Sequence, residues 1–578
     1  MSVQGASSGI ANALQFTTDL LESYDQLDIS KRQYVGYVLT PSLLVLLITF
    51  VAAFFLPLPL SVRVPMPFLG GIVFLAALLY PKLYVNSRRT AIENQLHLVM
   101  THMTVLSTTN IDRMEVFRTL AREEEYGAAA EEIGQIVHLV DTWNRSLDDA
   151  CRRQAKEVPS DAMADFFDRL GYTIAAGQEL EEFLLSELDV MLTNYETLYE
   201  SSLENIEVMK DLYMSMILSM TFALVFAIVL PILTGTNPTH TVAGVIVLFA
   251  IVQTGFYFVI RSMAPHDPVW YHPEDGAPGD RKLYTALGLG GLGTLLLTVY
   301  TAAGMFGIGP GLPALFPFLD SFKLPLYLCV PLTPLFFTGV VLRSEEKRIT
   351  ARDESFPPFI RALGATESAK QSTTSKVLET LRRKDFGALT PSVQRLYRRL
   401  NMRLSPEGAW RSFSVDTRSY LIQKFSEMYL VGRRMGGDPK QLGELISKNM
   451  NAVNQLREQR RQSAVTLIGL LYGITAASSF AFFIGLQVVN VLADISSNLT
   501  VDNMDFGQII YAGVYDIPLI KYLLLLVILY NALLSSMMIR AIDGGNPANG
   551  FIHFVSLTWL GCLTAIATSY LVSNLLAV

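Results

Sequence analysis

Cysteine is scarce in this chain of 578 residues: Cys151, Cys329 and Cys562 are the only three, and none belongs to a CxxC pair. The sequence therefore offers neither a disulfide framework nor a cysteine zinc site. The phosphate-binding pattern GxxxxGK[ST] is also missing, so the chain lacks that means of holding a nucleotide. The seven histidines include no HExxH. We predict no metal site, no cofactor and no catalytic residues.

Charge is scarce as well, since charged residues make up 17% of the chain and hydrophobic residues 51%, with a mean hydropathy of +0.35. Soluble domains carry nearer a quarter charged residues, so this is the composition of a membrane protein. Nine apolar runs reach about 20 residues, the length that spans a bilayer. The runs are 34–55, 67–84, 213–233, 241–260, 283–306, 324–342, 464–488, 518–538 and 551–576.

The cations that flank these runs predict the orientation. Lys and Arg are concentrated in alternate segments between the spans, and in membrane proteins the excess of these residues lies in the cytoplasmic segments. We therefore expect a multi-pass cell-membrane protein with its N-terminus in the cytoplasm and its C-terminus outside. The predicted division is a cytoplasmic segment 1–33, spans 1 and 2 in 34–84, a cytoplasmic domain 85–212, spans 3 and 4 in 213–260, a cytoplasmic loop 261–282, spans 5 and 6 in 283–342, a second cytoplasmic domain 343–463, and spans 7 to 9 in 464–578.

Both cytoplasmic domains are predicted to be helical. Ser160, Thr390, Ser405 and Asp438 each stand where a side-chain oxygen can cap a helix start, the last three directly before a proline. No strand-like alternation competes with this pattern, so the fold class is predicted to be all-α. The pattern Val-x-x-Thr-Leu before an aromatic residue and a glycine occurs at 116–127 and again at 377–387. With the equal spacing of the spans, it predicts an internal duplication of two spans, a helical domain and two spans, followed by a ninth span.

Charge separates the two domains, since 85–212 has 25 acidic and 11 basic residues while 343–463 has 13 acidic and 24 basic residues. The two domains are therefore not expected to share a partner surface. The basic clusters predict an acidic protein partner rather than nucleic acid, because no aromatic residues are interleaved with them for base stacking. Contact with anionic membrane lipids is predicted for Arg457 to Arg461, which adjoin span 7. The candidate protein contacts are Arg382, Arg383, Lys384, Arg395, Arg398, Arg399, Arg403, Arg433 and Arg434.

Four further features of the sequence bear on function. The glycines at 288–293 satisfy GxGxxG, but they lie inside span 5, where close glycines let helices approach. His266, Asp267 and His272 lie in a proline-rich loop, for which solvated surface is favoured over a metal site. Asn498 begins a sequon in a loop predicted to lie outside, so it is a candidate for N-glycosylation. Ionisable residues are missing from the middle of the predicted spans, which disfavours a coupled transporter.

The order of the spans and the two helical domains resembles the F-domain family of type II secretion and type IV pilus platform proteins, and within it the archaeal, duplicated members. The resemblance covers nearly the whole chain. F-domains tend to carry a glycine-centred helix start near the end of the bundle, and the segments 176–180 and 436–440 are similar to it. Gly177, Gly436 and Gly437 are therefore the candidates for that role. The second segment departs from the family pattern by placing Asp-Pro where the family often has Glu.

The resemblance implies two cytoplasmic F-type domains and a platform without enzyme activity, on which an archaeal filament of the type IV pilus kind, the archaellum foremost, is assembled or rotated. It implies that a hexameric ATPase docks on the cytoplasmic domains, with the basic second domain as its contact. Further implied partners are prepilin-like filament subunits, another cytoplasmic motor component at the acidic first domain, and a second copy in a homodimer. The alternatives left open are the platform of an adhesive pilus or secretion system and, from another class, a membrane transporter.

Overall fold

Helices account for every regular element named in the computed structural model of this protein. It describes residues 31–55, 65–109, 111–265, 267–273, 280–305, 324–370, 374–402, 405–498 and 516–576. Within these ranges, the isolated antiparallel bridge between Trp270 and Ser419 is the one pairing of extended backbone. The predicted all-α fold class is confirmed.

The chain divides into two compact units, Met1–Met191 and Leu192–Val578, with the boundary inside α7. The helices of the first unit are α1 (Thr40–Phe55), α2 (Pro65–Ser107), α3 (Arg113–Ala121), α4 (Ala128–Asp141), α5 (Leu147–Gln154), α6 (Asp161–Ala175) and the first part of α7 (Leu180–Val229). The second unit continues with α8 (Pro238–Met263), α9 (Asp280–Met305), α10 (Leu326–Lys370), α11 (Thr374–Leu381), α12 (Thr390–Asn401), α13 (Pro406–Thr417), α14 (Tyr420–Arg434), α15 (Pro439–Asn498), α16 (Ile517–Asp543) and α17 (Gly550–Leu576).

Eight helices in the described ranges are long and apolar enough to cross a membrane. They carry predicted spans 1 and 3 to 9, the first of them over Val35–Ala53. The second predicted span, 67–84, lies at the start of α2, which is not among the eight. Its membrane crossing and the domain boundaries drawn from the sequence stay predictions.

Three of the spanning helices are much longer than a bilayer requires. α7, α10 and α15 have 50, 45 and 60 residues, whereas about 20 residues cross the hydrocarbon core. At about 1.5 Å per residue, a helix of 60 residues is roughly 90 Å long. One uninterrupted helix therefore contains both a predicted span and part of a predicted cytoplasmic domain.

An aromatic core holds the helices of the second domain together. The ring of Phe359 on α10 lies 5.3 Å from that of Phe386 and 6.1 Å from that of Phe413, between ring centres. Trp410 contacts both Phe413 and Tyr429, at 5.5 and 6.1 Å. All five side chains are buried, and each burial of this kind contributes about 1.5–3 kcal/mol. This core joins α10 to α13 and α14.

Three of the four predicted helix caps are present. A side-chain oxygen of Ser160, Ser405 or Asp438 accepts a hydrogen bond from the backbone N–H three residues later, at 3.4, 3.1 and 3.2 Å. The prediction for Thr390 is wrong, because its hydroxyl oxygen accepts a hydrogen bond from the backbone N–H of Phe386, in the preceding turn, at 2.8 Å. A 3₁₀ turn comes before this helix and takes the place of a side-chain cap.

The short helices follow the same order in the two domains. α3 to α6 have 9, 14, 8 and 15 residues, and α11 to α14 have 8, 12, 12 and 15. Between the first two helices of each set, Tyr126 and Phe386 are buried and the glycines that follow them have φ of +51° and +56°. A duplication predicts this correspondence, and the duplication itself stays a prediction.

Candidate functional site

Charged side chains meet where helices of the second unit leave their apolar segments. We call this group the membrane-proximal joint. Its members are Asp267 after α8, Glu346 and Asp353 on α10, Arg457 and Arg460 on α15, and Arg540 near the end of α16.

Arg457 is the centre of one half of the joint. Its guanidinium donates to both carboxylate oxygens of Asp267 at 2.6 and 2.7 Å, and to Asp353 at 2.8 Å. The three side chains are only 12%, 10% and 1% exposed. Burial raises the pKa of Asp353 to about 6, and attraction to Arg457 offsets only part of that effect. A bidentate pair in such a site has a well-defined geometry, so it fixes the loop after α8 against α10 and α15.

Glu346 is the centre of the other half. Its carboxylate accepts hydrogen bonds from the indole N–H of Trp270 at 3.1 Å, from the backbone N–H of Asn546 at 3.0 Å and from the side-chain amide of Asn549 at 2.5 Å. It also accepts one from Arg540 at 3.2 Å. One carboxylate on α10 therefore ties together the loop after α8, the end of α16 and the turn before α17.

Backbone contacts reinforce both halves. The N–H of Tyr271 donates to the carbonyl of Arg418 at 2.9 Å, and the N–H of Tyr420 donates to the carbonyl of Val269 at 3.1 Å. Arg460 donates to the carbonyl of Ile542 at 2.5 Å, where the carbonyls at a helix C-terminus attract a cation. The loop after α8 and the end of α16 are thus bound to the second domain.

The joint corrects two predictions made from the sequence. Asp267 is not solvated surface, since it is buried against Arg457. Arg457 and Arg460 do not contact lipid, because their guanidinium groups bind acceptors from other segments of the chain. Arg461 is 51% exposed, and its contact with lipid stays a prediction. His266 lies outside the described residues. In the ranges that the structure covers, no group of three His, Cys, Asp or Glu residues is placed to hold a metal ion.

α10 and α15 touch through their backbones. A Cβ added to Gly443 would lie 2.8 Å from the carbonyl oxygen of Ile360, and one added to Gly364 would overlap the carbonyl of Pro439. Only glycine permits this approach. Nearby, Arg361 on α10 donates to the hydroxyl oxygen of Ser447 on α15 at 2.9 Å, where the two helices run together.

Four of the nine predicted protein-contact residues are engaged inside the domain. Arg395 and Arg399 both bind Asp416, at 2.8 and 2.6 Å, and although burial opposes the effect, these two arginines hold the pKa of Asp416 below its ordinary value. Arg433 binds buried Glu367 at 3.2 Å, and Arg434 binds Glu407 at 2.7 Å. The acidic partners lie on other helices, so sequence patterns alone do not distinguish these arginines from free ones.

Four other predicted residues form an exposed surface, the basic corner, which we define as Arg382, Arg383, Lys384 and Arg398. The guanidinium of Arg382 lies 4.7 Å from the ring centre of Tyr397, a cation–π contact. It brings the turn after α11 against α12, the helix that also carries Arg398. Among the described residues, none of the four forms an ion pair. The ninth candidate, Arg403, lies outside the described residues, as does part of the sequon that begins at Asn498.

The candidate glycines end helices. Gly177 and Gly436 have φ of +76° and +93°, a conformation that favours glycine after the last turn of a helix. Each stands three residues before a long helix, α7 or α15. The carbonyl of Gly437 accepts a hydrogen bond from Arg433 at 2.9 Å, so the ion pair between Arg433 and Glu367 also positions the turn into α15.

A buried polar cluster inside the predicted spans was missed. The side-chain amide of Gln253 on α8 donates to the carbonyl oxygen of Asn531 on α16 at 2.8 Å, and Asn531 donates to Thr475 on α15 at 3.4 Å. Hydrogen bonds between helices in a membrane contribute about 0.6–2 kcal/mol each. Two amides, Gln253 and Asn531, in otherwise apolar runs are the signal of this cluster in the sequence.

The glycine pattern in span 5 divides between two faces. A Cβ added to Gly290 or Gly293 would meet Thr338 or Pro334 of α10, whereas nothing lies within 4 Å of one added to Gly288 or Gly291. The first pair confirms that these glycines let two helices approach.

Known proteins are similar to this chain over one domain and over most of its length. The family described as Type II secretion system (T2SS), protein F, matches residues 99–229. A protein of Methanocaldococcus jannaschii named Flagella accessory protein J is 31% identical over 555 residues, which cover 95% of this chain and 97% of the relative. A protein of Methanococcus voltae with the same name is 31% identical over 520 residues, which cover 89% and 91%. No solved structure matches the chain.

Proposed function

Because this chain belongs to the family of flagella accessory protein J, we propose that it is the membrane platform on which an archaellum, an archaeal filament of the type IV pilus kind, is assembled. The platform catalyses no reaction. It passes the movements of a hexameric cytoplasmic ATPase to prepilin-like subunits in the membrane. The observation that carries this proposal is the helix pair α10 and α15, since each helix runs unbroken from the second cytoplasmic domain into a span.

The membrane-proximal joint supports transmission of force through this pair. Close-packed protein interiors have low compressibility and transmit strain. α10 and α15 are in backbone contact at Gly364 and Gly443, and Arg457 bonds across them. Glu346 adds the ends of α16 and α17 to the same body. A displacement of the second domain therefore moves several spans together.

The basic corner is the proposed ATPase contact. Its four cations are exposed, and complementary charge steers an acidic partner and fixes its orientation. The acidic first domain is proposed to meet a further cytoplasmic component, because its charge would repel the partner of the second. We propose that the membrane-proximal joint lies on the cytoplasmic face of the membrane, in agreement with the cations that flank the spans.

Deletion of the gene in its native organism tests the proposal. We expect electron micrographs to show cells without archaella, and filaments to return when the intact gene is supplied. A variant in which Arg383 and Lys384 are both changed to Glu should be made and inserted but should not restore filaments. Loss of an adhesive pilus or of secretion, with archaella intact, would favour the platform of an adhesive pilus or secretion system. Loss of solute uptake with all filaments intact would instead support a transporter.

A further inference from the structure

A small cavity lies between α7 and α15, where both helices enter their apolar segments. Its volume is about 220 Å³. Leu203, Leu467 and Ile542 form an apolar wall, while the other wall is polar. Predicted spans 3 and 7 begin at 213 and 464, so the cavity lies at the level of lipid headgroups on the joint side. Pockets for drug-sized ligands measure roughly 300–1,000 Å³, so this one suits a headgroup better than a nucleotide.

Lys210 gives the cavity its cation. Its side chain is 11% exposed, although it stands directly before a predicted span. Its ammonium lies 3.0 Å from Glu207 and 3.8 Å from Asp211, whose side chains are 68% and 65% exposed. Ion pairs with such exposed carboxylates are weak, because water and salt compete for both groups. Glu207 also lines the cavity, so a phosphate bound to Lys210 would replace this exposed carboxylate as the partner of the ammonium.

Neutral hydrogen-bonding groups face Lys210 from α15. They are the amide of Gln462 and the hydroxyls of Ser463 and Thr466. Thr466 donates only a long bond, 3.4 Å, to the carbonyl of Gln462, so its hydroxyl can turn to another acceptor. An ammonium with hydroxyl and amide donors is a set that suits phosphate oxygens, and the apolar wall suits the start of an acyl or alkyl chain.

We propose that this cavity binds the phosphate group of a membrane phospholipid, with Lys210 as its cation and Ser463 and Thr466 as hydroxyl donors. The lipid would fill the space between α7 and α15 at the boundary of the membrane. This inference requires that the chain span a membrane but does not depend on its role in filament assembly.

Native mass spectrometry of the full chain in detergent tests the proposal with three lipids. Phosphatidylglycerol and phosphatidylcholine carry a phosphate, whereas digalactosyl diacylglycerol does not. We expect both phospholipids to bind the intact protein at least tenfold more tightly than the glycolipid. Lys210→Gln should lower phospholipid affinity by tenfold or more, and Lys210→Arg should retain it. Lys282→Gln, which changes an exposed lysine beside a different predicted span, should have no effect.

Several results would overturn the proposal. Equal affinity for the glycolipid and the phospholipids would show that the site does not recognise the phosphate group. Unchanged phospholipid affinity in Lys210→Gln would show that the lipid binds elsewhere than in this cavity. Should Lys210→Gln misfold, Ser463→Ala combined with Thr466→Val must lower phospholipid affinity, or the assignment fails. Inorganic phosphate or glycerol phosphate that displaces the lipid at equal concentration would show that the site takes a soluble phosphate and not a lipid.

Discussion

Removal of the Arg457 guanidinium is the sharpest perturbation of the membrane-proximal joint. Arg457→Met keeps much of the apolar stem but leaves the carboxylates of Asp267 and Asp353 buried without their shared cation. Breaking a buried pair in this way costs about 3–5 kcal/mol. Because the unfolding entropy is about 2.1 cal/mol/K per residue, we expect the full chain in detergent to unfold at a Tm lower by about 2–4 °C, and cells with this variant to assemble few filaments.

Two controls separate the buried pair from a general effect of charge. Arg461→Met changes an arginine one helical turn after Arg457 on α15. Its partner Glu458 is 3.8 Å away and half exposed, so the substitution should lower the free energy of unfolding by less than about 1 kcal/mol. Changing Asp267 and Asp353 to Asn together with Arg457→Met removes the unpaired charges and should restore most of the loss. Equal Tm values for Arg457→Met and Arg461→Met would refute the reasoning.

Three other results are expected. Burial raises the pKa of Asp353 from 3.8 to about 6, so between these pH values Asp353 is protonated in the folded chain but ionised in the unfolded chain. This group should therefore raise the Tm as the pH falls from about 7 toward 4. Asp353→Asn should remove that increase. Gly443→Leu should force α10 and α15 apart and cost about 1–3 kcal/mol, measured as a lower Tm. Arg383→Glu with Lys384→Glu should abolish ATPase binding by the full chain at low salt, whereas Lys440→Glu should not, and added salt should weaken binding by the unaltered chain.

Local features of the fold could be predicted from the sequence because they depend on neighbours along the chain. Apolar run length located eight of the spanning helices, and Ser160, Ser405 and Asp438 cap the helices that follow them. The error at Thr390 has the same origin, since a tight turn just before the helix supplied contacts that a cap pattern does not describe.

The joint could not be predicted because its partners are distant in sequence. Asp267 and Arg457 are separated by 190 positions, and neither has a neighbour in sequence that indicates the other. Arg457 therefore resembled a membrane-anchoring cation, and Asp267 resembled loop surface. The same reason explains the basic clusters, since Asp416 engages Arg395 and Arg399 from a different helix.

The contacts of the joint bear on topology independently of the charge rule. Ends of α8, α16 and α17 meet α10 and α15 just beyond the apolar segments of these two helices, through Asp267, Glu346 and Arg540. If any of these ends lay on the opposite face of the bilayer, about 30 Å of hydrocarbon would separate it from the others. Packing therefore supports the predicted alternation of these spans, and the flanking cations predict which face is the cytoplasm. Because the basic corner belongs to the domain bound at this joint, any partner docked there pushes on the same face at which the span ends are tied together.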